Sequence, residues 1–284
     1  MGNGWHEWPL VIFTVFGQCV AGALILAGGA WLREHDPRVR YRLVRSMFWL
    51  WLVMGMGFVA SVLHLGSPLR AFNSLNRVGA SGLSNEIASG ALFFAVGGFW
   101  WLVAVLGRMP ALLGRIWLVL SMVLGLVFVW AMTRVYQIDT VPTWHNGYTT
   151  LNFFLTMLLG GPLFAALLVR MAKAPFNTRA AAGIAALALL ASAAAVILQS
   201  GELGTIQSSV QQANTLVPDY GSLQVWRIIL LAAGLGCWLC ALVRRKTPTL
   251  PGLTLGLLLV VAGELIGRGV FYGLHMTVGM AIAG

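Results

Sequence analysis

Residues 55–90 read GMGFVASVLHLGSPLRAFNSLNRVGASGLSNEIASG. The stretch opens as an apolar helix, and His64 stands where that helix runs out. Gly66-Ser67-Pro68 stops it abruptly, because proline has no N–H to continue the ladder and glycine frees the turn. About twenty small and polar residues follow before Ser84-Asn85-Glu86 opens a second apolar run. Two apolar helices joined by a polar hairpin read as a pair of membrane spans, so the fold class is all-α and polytopic.

Working outward, a run of about 20 apolar residues suffices to cross a bilayer. Eight such runs are present: Pro9–Leu32, Leu43–Leu65, Ile87–Leu106, Ile116–Met132, Leu151–Met171, Ala180–Gln199, Val225–Val243 and Pro251–His275. Together they predict a single membrane domain of eight helices over residues 1–284. Ala180–Gln199 is alanine-rich and reads as the weakest span by hydropathy. Composition agrees with this class: of 284 residues, 59% are hydrophobic and 9% charged, against about 25% charged in soluble domains. The N-terminal MGNGWHEWPL carries no basic n-region or cleavage site, so the first span is expected to remain as a helix.

The net charge of +10 follows membrane topology. No arginine cluster stands apart from the spans, so a nucleic-acid partner is not expected. Thirteen of the eighteen Lys and Arg residues fall in the first, third, fifth and seventh connections, from Arg33 and Arg38 to Arg244, Arg245 and Lys246. Arg70, Arg77, Arg134 and Arg227 read as lying on the other side, with Glu7, Glu86, Asp139, Glu202 and Asp219 to balance them. By the positive-inside rule the basic connections are cytoplasmic and both termini lie on the periplasmic side. This alternation requires eight spans. The opposite loops, about Gly66–Glu86, Thr133–Thr150 and Ser200–Gln224, are longer and polar but nearly charge-balanced, as a docking face for another protein would be. Trp5, Trp8, Trp31, Trp49, Trp51, Trp100, Trp101, Trp130 and Trp144 cluster near span ends and read as an interfacial belt. Gly252/Gly256 and Gly263/Gly267 are small-residue pairs that let helices approach closely.

Titratable groups are few, so their placement is informative. His64 and Glu86 stand at two helix ends facing the same outward side, with His6, His145 and His275. Glu86 reads as lying in a first helical turn, where a carboxylate is favoured by the dipole; a plain capping acid is the alternative. Together the two side chains fit a hydroquinone. A neutral imidazole accepts a hydroxyl proton near its ordinary pKa of about 6.5, and a carboxylate at the water boundary carries protons out. In the loop between, Arg70 or Arg77 can hold a quinone headgroup, pair with Glu86 or touch a partner protein. In the last span, Glu264 and Arg268 have i,i+4 spacing, which predicts an intrahelical ion pair, structural or supporting a proton path. Gln18 and Gln199 are expected to hydrogen-bond between helices.

Other chemistry lacks the residues it would need. Membrane haems need histidine ligands inside helices, and none lies there, so no haem is expected. Cys19, Cys237 and Cys240 are too few for an ordinary iron–sulfur cluster, and Cys237-Trp-Leu-Cys240 reads as small packing residues within a helix. No metal site is expected. A secondary transporter would need a polar midplane cavity between broken helices; only Gln18, Glu264 and Arg268 supply polarity at depth, and no span reads as interrupted by a central proline.

GNGWHEWPL, IFTVFGQCVAG and HLGSPLRAFNSLNRVGASGLSNEIASG resemble the membrane anchor subunit of bacterial dimethyl sulfoxide reductase and its close paralogues. The resemblance covers the whole chain in layout and is most specific through residue 100. It implies an inner-membrane anchor that oxidises menaquinol, drawn from the menaquinone pool, for a molybdoenzyme of the dimethyl sulfoxide or N-oxide reductase type in anaerobic respiration. It also implies two partners: a four-cluster [4Fe–4S] ferredoxin-like subunit and a molybdopterin catalytic subunit. This chain would then hold no haem, iron–sulfur cluster or molybdenum cofactor. The family's quinol-site histidine falls on His64 and its essential carboxylate on Glu86. Gly66, Arg70, Phe72, Ser74 and Arg77 fall in or beside the associated loop. A purely structural anchor is the other reading.

Overall fold

The computed structural model describes residues 3–64, 75–207 and 212–277. Gly66, Arg70, Phe72 and Ser74, and the side chain of His64, lie outside what it describes. The chain forms nine long helices among the described residues: α1 (Trp8–Arg33), α2 (Pro37–Ser46), α3 (Phe48–His64), α4 (Gly82–Val105), α5 (Ala111–Val135), α6 (Gly147–Met171), α7 (Arg179–Leu203), α8 (Tyr220–Val243) and α9 (Leu250–Gly273). The second and third join into one span, giving eight helices long and apolar enough to cross a membrane. A short 3-10 turn, Asn3–Glu7, precedes the first.

The helices begin and end where local chemistry directs. The side chain of Asp36 accepts the Arg38 N–H, Asn146 the Thr149 N–H and Thr249 the Gly252 N–H, so α2, α6 and α9 each start with a satisfied donor. Two sequence expectations are corrected. The helix bearing Glu86 starts at Gly82, ahead of the predicted boundary at Ile87, so Glu86 lies beyond the first turn and a capping role does not apply. Arg179–Leu203 has the highest mean hydropathy of the eight spans; alanine is apolar even though it is small. The expectation that no span is interrupted by a proline holds among the described residues: Pro162 stands inside α6, and the helix runs through it unbroken.

The central helices are α1 and α6, which bury most of their length. They meet at Gly22 and Gly161, where a Cβ on either would strike the other backbone. One core joins α1 through α6, with Phe93, Phe128, Trp100 and Phe153 at its centre. A second joins α6 to α7, α8 and α9 around Leu231, Leu235 and Trp238. Gly234 and Gly256 let α8 and α9 touch, as small-residue pairs do. The outer helices leave Val243, 81% exposed, and Ile197, 70% exposed, to the surroundings. In a soluble protein such a surface would aggregate; here it faces lipid tails.

The tryptophans divide. Trp8, Trp49 and Trp130 are exposed near helix ends, where an interfacial belt belongs, while Trp31, Trp51 and Trp100 are core residues. Trp100 is fully buried, and its indole N–H donates to Gly114 O at 2.8 Å. The basic connections gather at one end: Arg42 Nε donates to Ala172 O at 2.7 Å and Arg170 Nε to Pro248 O at 2.9 Å. At the other end the N-terminal turn packs on the close of α9, with Gly4 against Gly269 and Gly273.

Candidate functional site

Glu86, singled out by its place beside an apolar run, is only 4% exposed, and its Oε1 has no hydrogen-bond partner among the described residues. A buried carboxylate oxygen without a partner is costly, so something must use it. It opens onto a cleft of about 750 Å³ at the end of the bundle away from the basic connections. That is room for a quinone headgroup, since ligand pockets commonly run to several hundred Å³.

Segments far apart in sequence build this cleft. Leu10 and Glu7 come from the start of the chain, Leu83 and Glu86 from α4, and Val135, Tyr136 and Ile138 from the close of α5. Trp144 comes from the loop after α5, Thr215 from the loop after α7, and Tyr272 and His275 from the end of α9. Gly82 keeps the wall close-packed: a Cβ there would lie 3.3 Å from Arg134 O and Val135 Cα. With hydrogen alone, α4 rests on the end of α5, and Glu86 and Tyr136 line the same cleft.

The same cleft has an aromatic wall. The Tyr136 and Tyr272 hydroxyls are 2.5 Å apart. Trp144 stacks on Phe271 with centroids 5.2 Å apart and donates its N–H to Phe271 O at 2.8 Å. His275 packs against Trp144 at 4.6 Å. Burial first, and then the neighbouring Tyr272 hydroxyl, push the Tyr136 hydroxyl well above the ordinary tyrosine range. It is therefore a neutral donor and acceptor. Tyrosine and tryptophan give such a wall an apolar body and polar tips.

Behind the wall lies a buried polar network that corrects two further expectations. Glu264 does not pair with Arg268 along the helix. Its ion-pair partner is Arg227 of α8, Nη2 to Oε1 at 3.3 Å, and it also accepts from Thr156 Oγ1 at 2.6 Å. Arg227 does not belong with the charges of the outward side; it is 4% exposed, inside the bundle. Arg268 turns to Gln18 Oε1 at 2.8 Å and to Thr156 at 3.4 Å, with its guanidinium 3.6 Å over the Phe153 ring. Gly267 leaves room for the Arg227 guanidinium, which a Cβ would overlap. A void of about 20 Å³ borders the network, room for about one water.

Of the other expected site residues, Arg77 is exposed in the turn Leu75–Arg77. His64 closes α3 at the backbone level. Tyr136, Trp144 and Tyr272 are not marked for chemistry by the sequence; a tyrosine at a span end carries no local signal that separates it from an interfacial anchor.

The chain matches the family described as DMSO reductase anchor subunit (DmsC) over residues 1–274. It belongs to that family. Among its relatives, the YnfH subunit of anaerobic dimethyl sulfoxide reductase from Escherichia coli is 68% identical over all of both proteins. The C subunit of anaerobic dimethyl sulfoxide reductase from the same organism is 56% identical, and the C subunit from Haemophilus influenzae 40%, again over the full length of each. This DMSO reductase anchor is thus a multi-pass inner-membrane protein and a subunit of an oxidoreductase complex.

Proposed function

We propose that this anchor subunit oxidises menaquinol in the cleft beside Glu86 and passes the electrons to a docked [4Fe–4S] subunit, which feeds a molybdopterin catalytic subunit. The observation that carries the reading is the buried Glu86, with one oxygen unpartnered among the described residues, in the wall of a partly aromatic cleft of about 750 Å³. A quinol must give up two protons and two electrons to become a quinone. Glu86 accepts one hydroxyl proton, and His64, at the close of α3, serves as acceptor for the other. The Tyr136–Tyr272 pair offers the headgroup oxygens a neutral hydrogen-bond partner, and the apolar wall at Leu10, Leu83 and Ile138 receives the first part of the tail. Arg70 supports the headgroup or its loop, with Gly66, Phe72, Ser74 and Arg77 beside it.

With the basic connections cytoplasmic, the cleft opens on the periplasmic side and both termini lie there. Protons released from Glu86 then leave on the side where the quinol is oxidised, and turnover by itself moves no net charge across the membrane.

The test is quinol-driven reduction by the assembled complex with His64→Ala and Glu86→Gln. Both are expected to lose turnover with quinol while reduction by an artificial donor to the partner subunits continues. Normal quinol-driven rates in both would favour a purely structural anchor.

A further inference from the structure

At the opposite end of the bundle a second cavity, of about 300 Å³, lies between the close of α6, the turn into α7, and the connection from α8 to α9. Its upper rim carries Arg170 and Lys173, both exposed. Arg170 is held in place by its Nε donating to Pro248 O at 2.9 Å, and its terminal N–H groups have no partner among the described residues. Lys173 sits at a positive φ of 51°, closing the helix so that its side chain stands at the same mouth. No carboxylate lines the cavity among the described residues.

The lower part is different in kind. Within about one and a half turns of the helix ends, Ala166, Val169, Leu253 and Trp238 form an apolar floor. Trp238 is fully buried, yet its Nε1–H has no hydrogen-bond partner among the described residues. Every other feature of that ring suits a core position, so the N–H is the part that needs an explanation.

The geometry points to a bound anionic phospholipid: its phosphate between Arg170 and Lys173, and its glycerol ester oxygens accepting from Trp238. Cations over an apolar floor match the order of groups along a phospholipid, from charged phosphate through polar ester to hydrocarbon. Basic pockets between membrane helices hold anionic headgroups by this combination of charge and shape. The guanidinium presents several fixed donors to phosphate oxygens, whereas the ammonium adds a point charge. A free phosphate would satisfy the rim but leave the indole N–H and the apolar floor unexplained.

The complex, purified in detergent with its partner subunits, is exposed to mixed micelles of phosphatidylglycerol and phosphatidylcholine, and retained lipid is counted by native mass spectrometry. The wild type is expected to keep phosphatidylglycerol in preference to phosphatidylcholine. R170Q/K173Q lowers that retention roughly 25-fold, since each cation near the surface contributes about five-fold. R108Q/R115Q, which removes the same charge at the same end but outside the cavity, leaves it unchanged. W238F, which keeps an aromatic ring and removes the donor, lowers retention a few-fold in a complex that still assembles. Equal losses in the two double variants, full retention in W238F, or displacement of the lipid by millimolar inorganic phosphate would overturn the proposal.

Discussion

At the scale of single residues, the site turns on what a buried polar atom must do. Glu86 lines the cleft with one oxygen unpartnered among the described residues, and exchanging it for an amide of equal size removes the proton acceptor without opening a void. Glu86→Gln is therefore expected to slow quinol-driven turnover by about 100-fold or more, the usual worth of a general base, while complex assembly stays normal on a blue-native gel. Arg227 and Glu264 behave differently. Arg227→Met leaves the Glu264 carboxylate buried without its counter-charge, a change that costs about 3–5 kcal/mol and should appear as a lower melting temperature of the purified complex. Tyr136 is neutral in the folded protein well past the ordinary tyrosine range. Its raised pKa means that the stability it contributes is fully present below a pH of about 10 and is lost as pH rises beyond that. A melting temperature followed from pH 8 to 11 should fall more steeply in the wild type than in Tyr136→Phe.

The sequence exposed some of this and hid the rest. Glu86 stood out because a carboxylate beside an apolar run is rare. Arg227 did not: an arginine two turns into a helix looks the same whether it reaches for water or for Glu264 on the neighbouring helix. The i,i+4 spacing of Glu264 and Arg268 satisfied the local rule for a pair, but other helices offered each a better partner. Trp31, Trp51 and Trp100 read as belt residues because position along a span is visible in sequence and position around it is not.

At the scale of elements, close approach controls the site. Gly82 sits against the backbone of Arg134 and Val135. A valine there should push α4 away from α5, moving Glu86 relative to Tyr136. Gly82→Val is expected to raise the KM for quinol several-fold with intact assembly, although the residue is not a proposed quinol contact; an unchanged KM would show that the wall tolerates the shift. Boundaries were the least legible feature of the elements. Polar Ser84 and Asn85 hid the first turns of α4 because a hydropathy reading starts a span at its first long apolar run, whereas the hydrogen-bonded helix starts earlier.

At the scale of the whole molecule, the eight-span layout and the gathering of basic connections at one end were legible, because both depend on composition summed over long stretches. The cleft was not. Its walls come from Leu10, Glu86, Tyr136, Thr215 and Tyr272, and no local pattern links positions so far apart. The proposed orientation gives a further expectation: reporter fusions at the Arg108 and Lys173 connections should be active only in the cytoplasm, and fusions at either terminus only outside it. The reverse pattern would place the cleft on the wrong side for outward proton release.

Whether quinol binds in the cleft beside Glu86 is tested most directly with a photoreactive quinone analogue. Irradiated with the intact complex and mapped by peptide mass spectrometry, the analogue should label the peptides containing Leu83, Tyr136 to Trp144, or Tyr272 to His275. Excess menaquinol should suppress that labelling. Labelling confined to other surfaces, or labelling of these peptides that menaquinol leaves undiminished, would contradict binding there.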